Sequence, residues 1–474
     1  MKNKSLLTAT LLFLTLMVYG QDEDELLADL DSKADTYSRI AHDIWEWAEM
    51  GYLEEKSSAL LQETLKQEGF RIRGGVAGIP TAFIAEYGSG SPVIAILGEY
   101  DALPGLSQKA VPEKSSAGGA AGHACGHHLF GTASSAAAIS VKDWLDKTGT
   151  KGTIRFYGCP AEEGGSGKVY MVREGLFDDV AAVLHWHPSA ENGASAGAAL
   201  ANKSGKFRFH GISAHAAGSP EKGRSALDGV EAMNMMVNMM REHIPERSRI
   251  HYVITQGGKA PNVVPDFAEV YYYARHESRE VVADLFNRIV KAAEGAAMGT
   301  GTTVDYEIIG GTHELLPNLT LQKIMHDKMR LIGGVNYDDS EKAFADKIAL
   351  TLGQEGADIN KAANISPYKT KGTAYGSTDV GDVSFVVPTA GLRAATWVPG
   401  TPAHSWQAVA AGGTSIGHKG MMVAAKTLAL TAVHLFDNQG LLSEAKKELD
   451  ERRGVDFNYA PLLGERAPAL DYRK

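Results

Sequence analysis

Only two cysteines, Cys125 and Cys159, occur in 474 residues. A scaffold stapled by several disulfides is thereby excluded. One bridge between them is the ordinary expectation in an exported protein, but Cys125 reads better as a metal ligand and Cys159 as a small residue after a buried strand. Beyond residues 1–20 no apolar run is long enough to cross a bilayer. Basic charge is short as well: 47 Lys and Arg against 57 Asp and Glu leave a net charge of −10, which argues against non-specific nucleic-acid binding. No internal repeat is present.

What remains is globular in character, 44% hydrophobic and 22% charged. The length favours two domains over a single core. Residues 1–20 have the form of a signal peptide: Lys2 and Lys4, an apolar stretch over 6–18, then Val18-Tyr19-Gly20 before a polar run. The mature chain is therefore expected to be exported, periplasmic or secreted, with no membrane span once the leader is removed.

Helical periodicity covers 26–69 with a break at Gly51. Short apolar strands are expected over 81–86, 93–97, 153–157 and 181–184, alternating with helices over 129–145 and 167–175. That alternation predicts an α/β sheet, whose sites form beyond the carboxyl ends of the strands. From Asn202 the texture changes to strands over 207–210, 250–255 and 270–275 with helices over 225–243 and 279–297, an α+β insert ending near Leu316. Five methionines between Met233 and Met240 sit on its first helix, as core or a contact with a partner. From Leu319 the first domain resumes, to a helix over 421–436 and a weakly patterned tail.

Gly122-His123-Ala124-Cys125-Gly126-His127-His128 concentrates three imidazoles and a thiol in seven residues. Imidazole nitrogen and thiolate sulfur bind borderline and soft divalent ions, although such a cluster could equally be a closed structural zinc site or a polar turn. Pro160-Ala161-Glu162-Glu163 follows a predicted strand. Adjacent carboxylates repel unless a cation intervenes, and their diverging side chains let one bind a metal while the other handles a proton. His187, before Pro188, and His404, in Thr401-Pro402-Ala403-His404-Ser405-Trp406, are further ligand candidates.

Taken together with Gly98-Glu99-Tyr100-Asp101-Ala102-Leu103-Pro104-Gly105, Ser213-Ala214-His215-Ala216-Ala217 and Ala260-Pro261-Asn262-Val263-Val264-Pro265-Asp266, these motifs resemble the M20 metallopeptidases, in their amidohydrolase branch. The resemblance covers nearly the whole mature chain. It implies an α/β, metal-dependent exopeptidase-like catalytic domain, a mixed sheet flanked by helices, in two parts (21–201 and 317–474) around an inserted lid and dimerisation domain (202–316). It implies two divalent metal ions, zinc or manganese with cobalt acceptable, held by Cys125 as a shared thiolate with His127, Glu163, His187 and His404. Glu162 would be general base and acid, and Asp101 would orient a ligand histidine. His215 would stabilise the oxyanion at a neighbouring active site, and Asn262 and Arg275 would hold the substrate.

The implied reaction is amide hydrolysis of an N-acyl or N-aroyl amino acid such as p-aminobenzoyl-glutamate. The alternatives are a dipeptidase or carboxypeptidase of the same family and a non-catalytic metal-binding protein. A homodimer is implied, with room for a heteromeric partner. His185 and His187 both flank Trp186, with His187 preferred as ligand. His123 and His128 receive no role.

Overall fold

The computed structural model describes residues 23–372 and 376–473. The leader expected over 1–20 lies outside them. Helices α1 (Ala34–Trp47) and α2 (Glu55–Gln67) lead into strands β1 (Arg71–Gly74), β2 (Phe83–Ser89) and β3 (Val93–Glu99). Helix α3 (His127–Thr148), β4 (Gly152–Cys159), α4 (Gly167–Arg173) and β5 (Ala182–Ser189) follow. A second unit then intervenes: β6 (Ala201–His210), α5 (Ala226–Met240), β7 (Arg249–Gln256), β8 (Phe267–His276), α6 (Arg279–Thr300) and β9 (Thr303–Thr312). The chain returns through α7 (Leu319–Ile332), α8 (Asp339–Thr351), β10 (Thr389–Ala395), α9 (Ser415–Asp437) and α10 (Gly440–Arg453).

The first sheet has the order β1-β2-β4-β3-β5-β10. Its β4-β3-β5-β10 half is parallel and its β1-β2-β4 half antiparallel. β3, Val-Ile-Ala-Ile-Leu-Gly-Glu, is buried end to end. An uninterrupted apolar run suits a parallel strand covered on both faces. Ile94 and Ile96 face a core built with α3, α7 and α9, whereas Ala95 and Leu97 face a second core closed by α4. The Ala and Ser residues of α3 let it lie flat on the sheet, buried over nearly its whole length. A Cβ on Gly131 would stand 2.7 Å from the Glu99 carbonyl oxygen, so only glycine lets α3 approach the end of β3 this closely.

The second sheet, β9-β6-β8-β7, is wholly antiparallel and packs α5 and α6 against one face around Phe207, Phe209, Val270 and Phe286. β9 closes this sheet where no strand is expected above, although Val304, Tyr306 and Ile308 alternate with Asp305 and Glu307 in the period-two pattern of a half-exposed edge strand. α3 begins at His127, two residues ahead of the predicted start, which puts His127 and His128 in its first turn. No helix among the described residues is long and apolar enough to cross a membrane.

Candidate metal centre

The site gathers where β3 and β4 end, beside β5 and the first turn of α3. β3 delivers Glu99 and, two residues on, Asp101. β4 runs into the turn that carries Glu162 and Glu163. β5 presents His185 and His187 on one face, because alternate residues of a strand share a face. Cys125 stands two residues ahead of α3. His404 arrives from the segment after β10, its main-chain N–H donating to the Ala124 carbonyl at 3.0 Å. Its φ of 59° lies in the left-handed region, as do those of Ala161 and Ser166, and such strain collects where surroundings over-determine the backbone.

Three sets of ligand atoms each fall within 4.8 Å of one another: Cys125, His127 and His187; Cys125, Glu163 and His404; Glu99, His127 and Glu162. Cys125 is common to the first two. Its Sγ stands 3.3 Å from Nε2 of His187. Nδ1 of His187 is 2.7 Å from the Pro188 carbonyl oxygen and donates to it, which leaves Nε2 as the free lone pair facing the thiol. Asp101 Oδ1 accepts from Nδ1 of His127 at 2.8 Å, and Oδ2 accepts from the Glu163 N–H at 2.9 Å. One carboxylate thus fixes both an imidazole and the neighbouring carboxylate's backbone.

These residues fit a divalent cation. Oε2 of Glu99, Nε2 of His127 and Oε1 of Glu163 are buried without a hydrogen-bond partner. Yet Nε2 of His127 lies 3.1 Å from Glu99, and Nε2 of His404 3.2 Å from Glu163. These atoms stand at contact distance without a hydrogen bond, and a shared cation would satisfy them together. Burial, then His127, hold His187 down at about 3, so it is a neutral imidazole at any physiological pH. Burial, then the Glu163 carboxylate, push the Cys125 thiol upward, so a thiolate here calls for a cation. Burial, then Glu99, Glu163 and Asp379, push Glu162 well above the ordinary carboxylate range, the direction that suits a proton carrier.

Other positions divide clearly. His123 Nε2 donates to the Ile44 carbonyl and His128 Nε2 to that of Gly412, each at 3.0 Å, so both brace the cluster's loop from behind. His185 shares the His187 face of β5, beside Gly391 of β10. His404 forms one wall of a cavity of about 470 Å³, with Leu106, Gln108, Lys114, Ser116 and Trp406 on the others.

The three remaining candidates lie in the second unit, Arg275 on β8 and His215 and Asn262 in loops that leave β6 and β7. Arg275 pairs in register with Asn202 at the end of β8 nearest the first domain, and its Nε is buried without a partner. That end packs close to the cluster: a Cβ on Gly310 would lie 3.6 Å from Ser166 Oγ and 3.9 Å from the Gly164 carbonyl oxygen. His215 and Asn262 lie at the other end. His215 bridges to Val263, and the Ala216 N–H donates to the Asn262 carbonyl. From Ser204, beside Gly310, to His210 is about 20 Å at ~3.3 Å per residue, and His215 lies beyond. The N–H groups of Ala217 and Gly218 donate to Nδ1 of exposed His215 at 3.2 and 3.0 Å. Its Nε2 therefore carries the proton and faces outward as a donor.

Sequence reasoning missed a buried ionic core beneath the cluster. Lys168 Nζ lies 2.5 Å from Glu99 and 2.7 Å from Asp379, with all three side chains at 1% exposure or less. A lysine in the first turn of a predicted helix has the signature of a solvated surface, so only its neighbours reveal it.

A family model described as a peptidase dimerisation domain matches residues 201–300. The chain is 45% identical over 472 residues to a p-aminobenzoyl-glutamate hydrolase subunit of Escherichia coli (strain K12), covering 94% of this chain and 97% of that one. It is 29% identical to the Xaa-Arg dipeptidase of Mus musculus, over 88% and 90% of the two chains. Among solved structures it superposes on the aminobenzoyl-glutamate utilization protein from Klebsiella pneumoniae with a TM-score of 0.60 at 19% identity, covering 87% of this chain and 98% of that one.

Proposed function

The chain belongs to the M20 metallopeptidase family, a family of hydrolases acting on amide bonds, and from that premise we propose that it cleaves N-acyl or N-aroyl amino acids at the centre described above. The observation that carries this reading is the convergence of Cys125, His127, Glu163, His187 and His404 on shared points with Glu162 beside them. Two divalent cations are proposed, zinc or manganese, with Cys125 shared between them. When bound they would polarise the amide carbonyl and lower the pKa of water.

The chain's own groups do the rest. Glu162 takes the proton from the attacking water and returns it to the departing nitrogen. Asp101 keeps His127 in one tautomer. The outward Nε2–H of His215 donates to the developing oxyanion. Arg275 pairs with the substrate carboxylate, with Asn262 assisting from the lid. The cavity beside His404 offers the acyl group a place with one aromatic wall.

His215 lies far along the lid from its own cluster, which supports a homodimer in which it serves the partner's site. The relative at 45% identity is itself one subunit of its hydrolase, so a heteromeric complex is a further form to test. Export is proposed from the leader alone, and the N-terminal sequence of protein recovered from the source cells tests it.

The deciding experiment measures metal content and assays p-aminobenzoyl-glutamate, acetyl-amino acids and dipeptides side by side, before and after chelation. About two metals per chain, with activity on the aroylated substrate restored by zinc or manganese, is expected. Preferential cleavage of dipeptides would favour a second reading, dipeptidase, which the mouse relative supports. One tightly held zinc without hydrolysis would sink both.

A further inference from the structure

Beyond Gly454 the described chain forms no helix or strand, yet it is tied down along its length. The Tyr459 hydroxyl donates to Asp382 at 2.8 Å, and Nε2 of His313 to the Ala460 carbonyl at 3.0 Å. Arg173 of α4 donates to the carbonyls of Gly464 and Arg466. Arg466 in turn donates to the Ile309 carbonyl at 2.6 Å and pairs with Glu307 at 2.9 Å, both on β9. The run then reaches the candidate centre. The Tyr472 hydroxyl donates to the Glu163 carbonyl oxygen at 3.1 Å, and Nη2 of Arg473 donates to the same oxygen at 2.6 Å.

Glu163 is thus gripped on both sides. Its N–H is held by Asp101 and its carbonyl by the tail. The turn between needs such support: Ala161, Gly164 and Ser166 have φ of 55°, 91° and 61°, and two of them are not glycine. Tyr52 donates to the Gly165 carbonyl at 2.6 Å and meets the Tyr472 ring edge-on at 5.5 Å. Gly51 makes room for this: a Cβ there would stand 2.1 Å from the Tyr472 hydroxyl and 2.9 Å from Ala161 Cβ. The break in helical periodicity at Gly51 therefore marks the seat of the tail.

We propose that Tyr472 and Arg473 are positioning residues that lock the Glu163 peptide, so that its carboxylate is aimed at the point it shares with Cys125 and His404. This rests on the reading of Glu163 as a metal ligand. The donors act through the backbone and touch no reacting atom.

The test uses the full chain carrying Tyr472→Phe with Arg473→Ala, stripped of metal and titrated with zinc against a chromophoric chelator. Zinc affinity should fall about tenfold or more, the usual scale for groups that orient a metal ligand. Amide hydrogen exchange over 162–165 should speed up in the metal-free protein. Arg473→Lys, which keeps a charged donor, should recover most of the affinity. Should the double variant fail to fold, Tyr472→Phe alone carries the test, since it keeps the ring on Tyr52 and removes one of the two donors. Unchanged zinc affinity and unchanged exchange overturn the clamp. A parent chain that binds no zinc overturns the metal reading instead, and exchange over 162–165 then decides the clamp by itself.

Discussion

Glu162 and Asp101 differ in what their loss should do. Glu162→Gln keeps the volume and removes the proposed proton carrier. Metal content should stay at the parent value while kcat falls by about two or more orders of magnitude, the usual scale for general acid–base loss. Retained activity would remove Glu162 from the mechanism. Asp101→Asn leaves a group that no longer holds charge against His127 and Glu163, so metal affinity should weaken by roughly 10–100-fold. Chelator competition reads this, and an unchanged affinity would reduce Asp101 to a packing role. Both residues, and all five proposed ligands, are visible in the chain because they sit in short motifs flanked by glycine or proline. Glu99, Lys168 and Asp379 are not, since a carboxylate at a strand end and a lysine in a helix are commonplace until the fold buries them together.

At the scale of elements, α4 is pinned by charge buried under the cluster. Lys168 sits between Glu99 and Asp379, and its backbone N–H also donates to Asp379 at 2.9 Å. Lys168→Met would leave Asp379 without its cation and Glu99 with His127 alone, and cost about 3–5 kcal/mol in urea unfolding of the metal-free chain. A loss under about 1 kcal/mol would mean that water or a proton compensates. On α9, burial, then nearby His42, lower His418 to about 4, and its Nε2 has no partner. The folded value is below the unfolded value of about 6.5, so the unfolded state takes up the proton first. Stability should therefore fall as pH drops from about 6.5 towards about 4, and the unfolding midpoint of His418→Gln should fall less over that window. Equal slopes in parent and variant would contradict this. The main parallel strands are legible for the reason that makes them stable, continuous apolar runs. β1, β9 and β10 are not such runs: β1 is four residues with two arginines, β9 alternates Val304, Tyr306 and Ile308 with Asp305 and Glu307, and β10 interrupts its apolar pattern with Gly391 and Arg393.

For the whole molecule, the second unit carries an exposed apolar surface. Met235, Met236 and Met239 on α5 are exposed, and so are Tyr252, Val253 and Ile254 on β7, one of the two outer strands of the second sheet. An apolar edge strand left open invites pairing with another chain, and a two-fold partner would cover it. The methionines noted in the sequence thus divide: Met233 is core, while those facing outward suit a partner. Ile254→Lys with Met239→Lys should yield monomers by light scattering that keep their metal but hydrolyse little, because His215 would have no neighbouring site to complete. A sharper test mixes two inactive chains, His215→Ala and Glu162→Gln. If His215 works across the dimer, half of the randomly assorted dimers hold one complete site, and the mixture should regain roughly a quarter of the parent activity. If His215 serves its own chain, every site in the mixture lacks one of the two groups and nothing returns. The span of β6, with Gly310 beside the cluster and His215 beyond the far end, argues for the first outcome.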